Sequence, residues 1–461
     1  MPIRLLFINA IFHRQIETVT PNLGLGYLSA MLKQRFGKDH FEIRVIDRDI
    51  EKTLDSFKPH VVGISSVTQN YSLARKYAKE VKSRGIPVFV GGVHISSIPS
   101  SLDPSMDFAV IGEGENTICN IIENFGKHGN FSNPDFFKIP GLLVRRGGKL
   151  LNTGPVESIA PLDLLPFPDR DVIPWDPHHA SIFSTRGCPY RCVFCFSSHY
   201  WGKTRFFSAD YVFREVSHLV LERSAKRIHF QDDLFIADKK RFFEIVRRID
   251  EAGLNKKTEF TCTCRANLVD AETASALKKM NVVEVFLGLE SGCPRTLDYL
   301  KGGSVTVEQN ENAVRHLKKA GIDSVIGSFI IGSPTETREE ILQTLAFVRK
   351  IPLDHCKTFV LTPLPSTPVW EYAKSKGFVS DSMDWDVLRL EFEERPDKAI
   401  VISETLSRDE IIGLLKLFSI EERKKRRYYL LRHPALLLER GVAKLKQEAV
   451  RRIFSKISVY S

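Results

Sequence analysis

Cys188, Cys192 and Cys195 fall within eight residues, in the stretch STRGCPYRCVFC. Thiolates are soft donors that suit zinc or iron–sulfur clusters. A structural zinc site is closed by four ligands. Cys192 and Cys195 form one C-x2-C pair and Cys188 adds a third thiol, but the chain holds no second C-x2-C and no H-x3-H pair. Three thiolates on a [4Fe–4S] cubane leave one iron open, and an open position is what separates a catalytic metal site from a structural one. The missing fourth ligand is then a substrate. Gly187 and Pro189 keep this loop out of regular helix, so that three side chains can converge.

The other cysteines carry no such spacing. Cys262 and Cys264 alternate along a predicted strand and share one face. With Cys119, Cys293 and Cys356 they read as small buried apolar residues. Eight cysteines at these gaps do not form a disulfide framework, and a chain of 461 residues does not need one. A reducing cytoplasm is the expected setting.

The elements that must position the thiols alternate strand and helix. IRLLFIN, FEIRVID, VVGISS, VFVGG and FAVIG are short apolar runs, read as buried parallel strands. One helix between them presents Leu28, Leu32 and Phe36, another Leu73, Tyr77 and Val81. Residues 1–130 are therefore predicted as an α/β, doubly wound Rossmann-like domain with its ligand at the strand C-termini. Small residues gather at those ends: Ser65, Ser66, Gly91, Gly92 and the run Gly112-Glu113-Gly114-Glu115. Residues 131–178 are rich in Pro, Asp and Gly and read as a linker, with a hairpin at GLLVRRGGKLLN. Six further βα units over 179–375 predict a partial (β/α)6 TIM-type barrel. Its strand ends carry the cysteine loop, Gln231-Asp232-Asp233, Arg265, Glu290-Ser291 and Gly332-Ser333. The predicted helices over 238–253 and 306–321 each end at a glycine suited to a C-terminal cap. Residues 376–461 read as helical and basic.

The C-x3-C-x2-C spacing, with aromatic Phe194 before the last cysteine, resembles the radical S-adenosylmethionine (SAM) superfamily. FQDDLF, VEVFLGLESGCPRTLDYLKGG, GSFIIGSPTETREE and TPLPSTPVWEYAKSKG resemble successive blocks of its cobalamin-binding subgroup, as do PNLGLGYLSAML, VFVGGVHISSIP and AVIGEGEN in the first domain. The resemblance spans roughly residues 1–375. It implies that Cys188, Cys192 and Cys195 hold a [4Fe–4S] cluster and that SAM binds the open iron. Reductive cleavage of SAM to a 5′-deoxyadenosyl radical would follow, with hydrogen abstraction from an unactivated position. It further implies that Phe194 flanks adenine, that Asp232 and Asp233 meet the SAM amino group, and that Arg265 clamps its carboxylate. Glu290 and Ser291 would read the ribose or amino group, and Gly332 would let adenine approach. In the first domain, Ser65, Ser66, Thr68, Gly91, Gly92, His94 and Glu113 would cradle the nucleotide tail of cobalamin. The Asp-x-His-x-x-Gly motif of the best-known cobalamin folds, which this subgroup often lacks, is out of register here: His13 stands in NAIFHRQIE without the Asp and Gly, so His13 is not expected to ligate cobalt.

The implied activity is cobalamin-dependent methyl transfer to an unactivated centre of a small or lipid-like molecule. A radical oxidative cyclase of the magnesium-protoporphyrin ester type is the alternative in the same superfamily, and a zinc-stabilised binding protein the alternative outside it. A flavodoxin- or ferredoxin-type donor would supply electrons. The net charge of +10 is concentrated in the tail, where residues 421–461 hold 12 Lys/Arg against 4 Glu, a net of +8. The remaining near-neutral chain argues against a nucleic-acid surface. Val442, Leu445, Ala449, Ile453 and Ile457 recur near helical spacing among those basic residues, a pattern suited to peripheral contact with anionic lipid.

Overall fold

The computed structural model describes residues 2–12, 21–388 and 400–434. Two sheets carry the molecule. The first runs β2-β1-β3-β4-β5-β6-β7, with β1 Ile3–Ala10, β2 Phe41–Ile46, β3 Val61–Ser66, β4 Val88–Gly91, β5 Phe108–Val110, β6 Leu142–Arg146 and β7 Lys149–Asn152. Its first five strands are parallel. The chain direction across the sheet reverses between β1 and β3, and this switch point is where open α/β sheets bind ligands. β3 is buried almost throughout, which is why it reads as a continuous apolar run. The predicted hairpin forms as β6 and β7, but it pairs antiparallel with β5 and extends this sheet. The first unit therefore reaches past the expected limit at residue 130.

The second sheet contains β8 Ala180–Ile182, β11 Arg227–Phe230, β12 Glu259–Cys264, β13 Val282–Glu290, β14 Ser324–Ile331 and β15 His355–Val360. They lie in the order β15-β14-β13-β12-β11-β8, all parallel, as a partial barrel. A short antiparallel pair, β9 Thr185–Arg186 and β10 Arg205–Phe206, closes the base of the cysteine loop. The predicted helices appear as Lys239–Glu251, capped by the Asp238 side chain, and Val307–Lys319, started by a Thr306–Gln309 capping box. Gly253 and Gly321 follow them with positive φ (65° and 82°), as a left-handed exit requires.

The two units share buried surface. In the helix Leu23–Phe36, Leu23 and Tyr27 join the barrel core while Leu25 and Leu32 join the core of the first sheet. Asp169 ties this helix to the linker, accepting from Ser29 Oγ (2.6 Å) and Lys33 Nζ (2.5 Å). In the helix Tyr71–Ser83 the buried face is Tyr71, Ala74, Ala78 and Val81, while Leu73 and Tyr77 are only half-buried. The alanines allow the closer approach, so the inward face is rotated from the expected Leu73–Tyr77 row. The helix Arg408–Arg432 seats Ile411, Leu414, Leu415 and Phe418 in the barrel core. Among the described residues no helix is long and apolar enough to cross a membrane. His13 and the tail positions Val442, Leu445, Ala449, Ile453 and Ile457 lie outside the described residues.

Candidate active site

The cysteine loop leaves β9 through Gly187, whose φ of +90° is a left-handed value and whose added Cβ would stand 3.0 Å from Trp201 Cβ. Val193 N–H donates to Leu300 O (3.1 Å) and Val369 N–H to Val193 O (3.2 Å), tying the loop to the segments after β13 and β15. Cys192 is buried, and Cys188 and Cys195 are partly so. Burial raises the Cys188 thiol and pushes that of Cys195 up to about 12, against a backbone hydrogen bond from Ser197. Among the described residues no three His, Cys, Asp or Glu side chains close on a single-ion position. Three thiols on one loop suit a cluster, which would give each thiolate its own iron. Phe194 is half-buried against the core beneath the loop.

The other predicted barrel residues divide into those facing the mouth and those closing turns. Asp232 is buried and accepts from Ser184 N (2.6 Å), Thr185 N (2.9 Å) and Ser184 Oγ, which Arg241 also contacts. It braces the end of β8 rather than facing the mouth. Asp233 is exposed and accepts from Ser197 Oγ. Arg265 is buried, lies 3.8 Å over the Tyr190 ring and directs Nη1 to Cys192 Sγ at 3.3 Å. Its Nε has no hydrogen-bond partner, a donor left over beside the loop. Glu290 ends β13 at φ 62°, a strained value for a residue with a side chain. Burial raises its carboxyl, opposed by Lys301 Nζ at 3.4 Å.

Ser291 is fully buried and spends its hydroxyl on Thr344 Oγ1 (2.9 Å) and Cys293 N (3.0 Å). Gly332 (φ 82°) donates to Glu336 Oε2 at 2.7 Å, and an added Cβ would meet Ile411. Both hold turns through these contacts. The Cys262 and Cys264 sulfurs lie 3.8 Å apart inside the core, and Cys119, Cys293 and Cys356 are buried singly, as their spacing implied.

At the C-terminal edge of the first sheet lies a cavity of about 330 Å³, adjoined by one of about 230 Å³. Ser65, Ser66, Gly91, Gly92 and Glu113 line the larger one. Gly92 has φ +98°, and a Cβ there would stand 2.8 Å from Ser66 O. Phe183, Arg186, Tyr200 and Trp201 line the same cavity from the barrel side, and Phe183 and Gln231 line the smaller one. Thr68 and His94 lie outside both linings. Thr68 is buried in the short turn Thr68–Asn70. His94 is fully buried between the rings of Tyr71 (3.9 Å) and Trp385 (4.8 Å), and burial lowers its pKa to about 3. It is a neutral core histidine. The cavity is thus walled by both units, with the cysteine loop on one side.

Comparison with known proteins supplies the family. The model of the radical SAM superfamily matches residues 182–348, and that of the B12 binding domain matches residues 11–122. An uncharacterized methyltransferase of Pyrococcus horikoshii is 35% identical over 392 residues, covering 81% of this chain and 82% of its own. The chain belongs to the radical SAM superfamily, in the subgroup with a B12-binding domain. The anaerobic magnesium-protoporphyrin IX monomethyl ester cyclase of Cereibacter sphaeroides is 25% identical over 402 residues, covering 82% of this chain and 65% of its own. Among solved structures, the radical SAM methyltransferase TsrM of Kitasatospora setae, with cobalamin and a [4Fe–4S] cluster bound, has a TM-score of 0.68 at 19% identity. That match covers 82% of this chain and 76% of TsrM. It shows the same two-unit fold.

For this radical SAM enzyme, sequence reasoning missed Arg186, Tyr200 and Trp201, which line the cavity from the cysteine loop, and Arg205, which pairs with Glu113 in the cavity wall. Two arginines flanking the loop in an otherwise near-neutral region were the available signal.

Proposed function

We propose that this enzyme is a cobalamin-dependent methyltransferase that uses radical SAM chemistry on a small molecule. One observation carries the reading: a single cavity is walled by the strand ends of the B12-type domain and by the residues that flank the cysteine loop. The small-residue cradle at Ser65, Ser66, Gly91 and Gly92 lines the cavity and fits a bulky cofactor tail, and Gly92, at φ +98° and packed against Ser66 O, leaves no room for a side chain of its own. Three thiols with a free cationic donor beside them fit a site-differentiated cluster with SAM on it.

Bound there, the cluster supplies a low-potential electron for cleaving SAM, and the corrinoid supplies a carrier for the methyl group. Cys188, Cys192 and Cys195 hold the cluster. Arg265, stacked on Tyr190, holds a fixed positive charge beside it and offers Nε to a carboxylate. Asp233 and Glu290 present carboxylates at the barrel mouth to an amino or hydroxyl group. Phe194 offers an apolar edge to adenine. Asp232, Ser291, Gly332, Thr68 and His94 position these residues from turns and core, and Glu113 stands in the wall of the cofactor cavity. A flavodoxin- or ferredoxin-type protein supplies the electrons.

Cofactor stoichiometry tests the reading. The protein is produced anaerobically with hydroxocobalamin, its cluster is reconstituted, and iron and corrinoid are quantified together. About four irons and one corrinoid per chain are expected, with the iron lost in Cys192→Ala. Iron without corrinoid would overturn the methyltransferase reading and leave the barrel assignment standing.

A further inference from the structure

The base of the cysteine loop carries an ion cluster that this reading does not use. β9 and β10 pair antiparallel with Arg186 directly opposite Arg205. Two like charges opposite each other destabilise a strand pair unless something neutralises them. Here the neutralising groups come from the other unit. Arg186 Nη2 pairs with Glu115, and its Nη1 lies 3.6 Å from Glu113. Arg205 pairs with both oxygens of Glu113 and donates to Ile159 O at 2.7 Å, while Ile159 N–H returns to Glu113 Oε2 at 3.0 Å. The four side chains are only 5–12% exposed. Trp201, within the loop, lies between the guanidinia, 5.3 Å from Arg186 and 6.0 Å from Arg205. Tyr200 Oη donates to Gly112 O at 3.2 Å, a second tie from loop to first unit.

We propose that Arg186 and Arg205 on the loop stem, with Glu113 and Glu115 after β5, form a clamp that fixes the three-cysteine loop at one distance from the cofactor cavity of the first domain. The four are positioning residues, which act by fixing the loop. Glu113, Glu115 and Arg186 line the cavity, and Arg186 stands two residues before Cys188, so the clamp bridges both cofactor sites directly. Arg186 Nη1 and Arg205 Nε have no hydrogen-bond partner, so the guanidinia also retain donors at this boundary. A plain folding contact would not need like charges set opposite each other and neutralised across a domain boundary. A register device does, because two forks hold two carboxylates in one geometry.

The inference rests on the two-cofactor reading, and the test separates the two. Wild type, Glu115→Gln and Arg205→Lys are loaded with hydroxocobalamin and iron, then partly reduced so that some molecules carry both cob(II)alamin and a reduced cluster. The spin–spin coupling between the two centres is read by electron paramagnetic resonance. Wild type should give one narrow distance distribution. Glu115→Gln should broaden it at least about twofold and Arg205→Lys by less, since lysine keeps the charge and loses the fork. Iron content should stay at the wild-type level in both variants, and corrinoid content in Arg205→Lys, whose residue lies outside the cavity lining. An unchanged width in both variants would overturn the clamp. So would variants that lose their near-ultraviolet circular dichroism, since that would make the four residues fold supports only. A wild type that takes up no corrinoid would instead overturn the cofactor reading on which the clamp depends.

Discussion

Glu336 is 1% exposed, and its Oε2 accepts from Gly332 N (2.7 Å) and Ser333 N (3.1 Å) while its Oε1 has no partner. Burial raises its pKa from 4.5 to about 7, overriding the two backbone hydrogen bonds. In the unfolded chain the carboxyl ionises near 4.5. Between about pH 4.5 and about 7 the folded state therefore holds a proton that the unfolded state has released. Stability must fall with rising pH across that window, at about 1.4 kcal/mol per unit, and level off above it. The total is about 3 kcal/mol. Below the window the group contributes no penalty. Glu336→Gln keeps an oxygen for the two amides and cannot ionise, so any packing cost it adds is constant with pH. Urea midpoints for wild type and variant, compared across the window, isolate this residue because all other titrations cancel in the difference. The variant should gain about 3 kcal/mol relative to wild type between the two ends. A difference that stays flat with pH would refute the buried, proton-bearing carboxyl.

Three further changes probe the division between turn and mouth. Asp232→Ala strips the acceptor from two buried amides, Ser184 N and Thr185 N, and should destabilise the barrel by about 2–6 kcal/mol; a variant of native stability with weakened SAM binding would return Asp232 to the ligand surface. Arg265→Lys loses the stack on Tyr190 and the fork, and should weaken SAM binding by about tenfold or more at unchanged iron content, measured by equilibrium dialysis. Gly92→Ala places a Cβ 2.8 Å from Ser66 O at φ +98°, and should cost about 1–3 kcal/mol along with corrinoid uptake; normal uptake would move the cofactor tail elsewhere.

The fold was legible where burial leaves a run or a period. VVGISS reads as a strand because parallel strands are covered on both faces, and the helix Val307–Lys319 announces itself with a capping box and a following glycine. The thiol loop was legible because its spacing is local. The hairpin at residues 142–152 was also visible, but its attachment to β5 depends on a pairing that no local pattern encodes. His94 illustrates the harder case. A histidine after a glycine-rich strand end suits a ligand site, yet the ring is enclosed by Tyr71 and by Trp385, a residue almost three hundred positions away. The Arg186–Glu115 contact spans 71 residues and leaves no periodic trace in the sequence.

The residues that hold turns at the barrel mouth share one physical cause. At the C-terminal end of a parallel sheet the backbone N–H groups lose their ladder partners, and those that are buried must be satisfied by something else. Asp232 takes two such amides, Glu336 takes two, and Ser291 takes Cys293 N. Ligands of such sheets bind at the same edge. A polar residue there thus has two competing uses, holding a turn or meeting a ligand, and residue type does not distinguish them. Asp232 and Asp233 are adjacent and chemically identical, yet one is buried under β8 and the other is exposed at the mouth. Only the direction of the chain after Phe230 separates them. The turn-holding residues are still part of the enzyme's chemistry, because they fix the loops from which Asp233, Arg265 and the three thiols project.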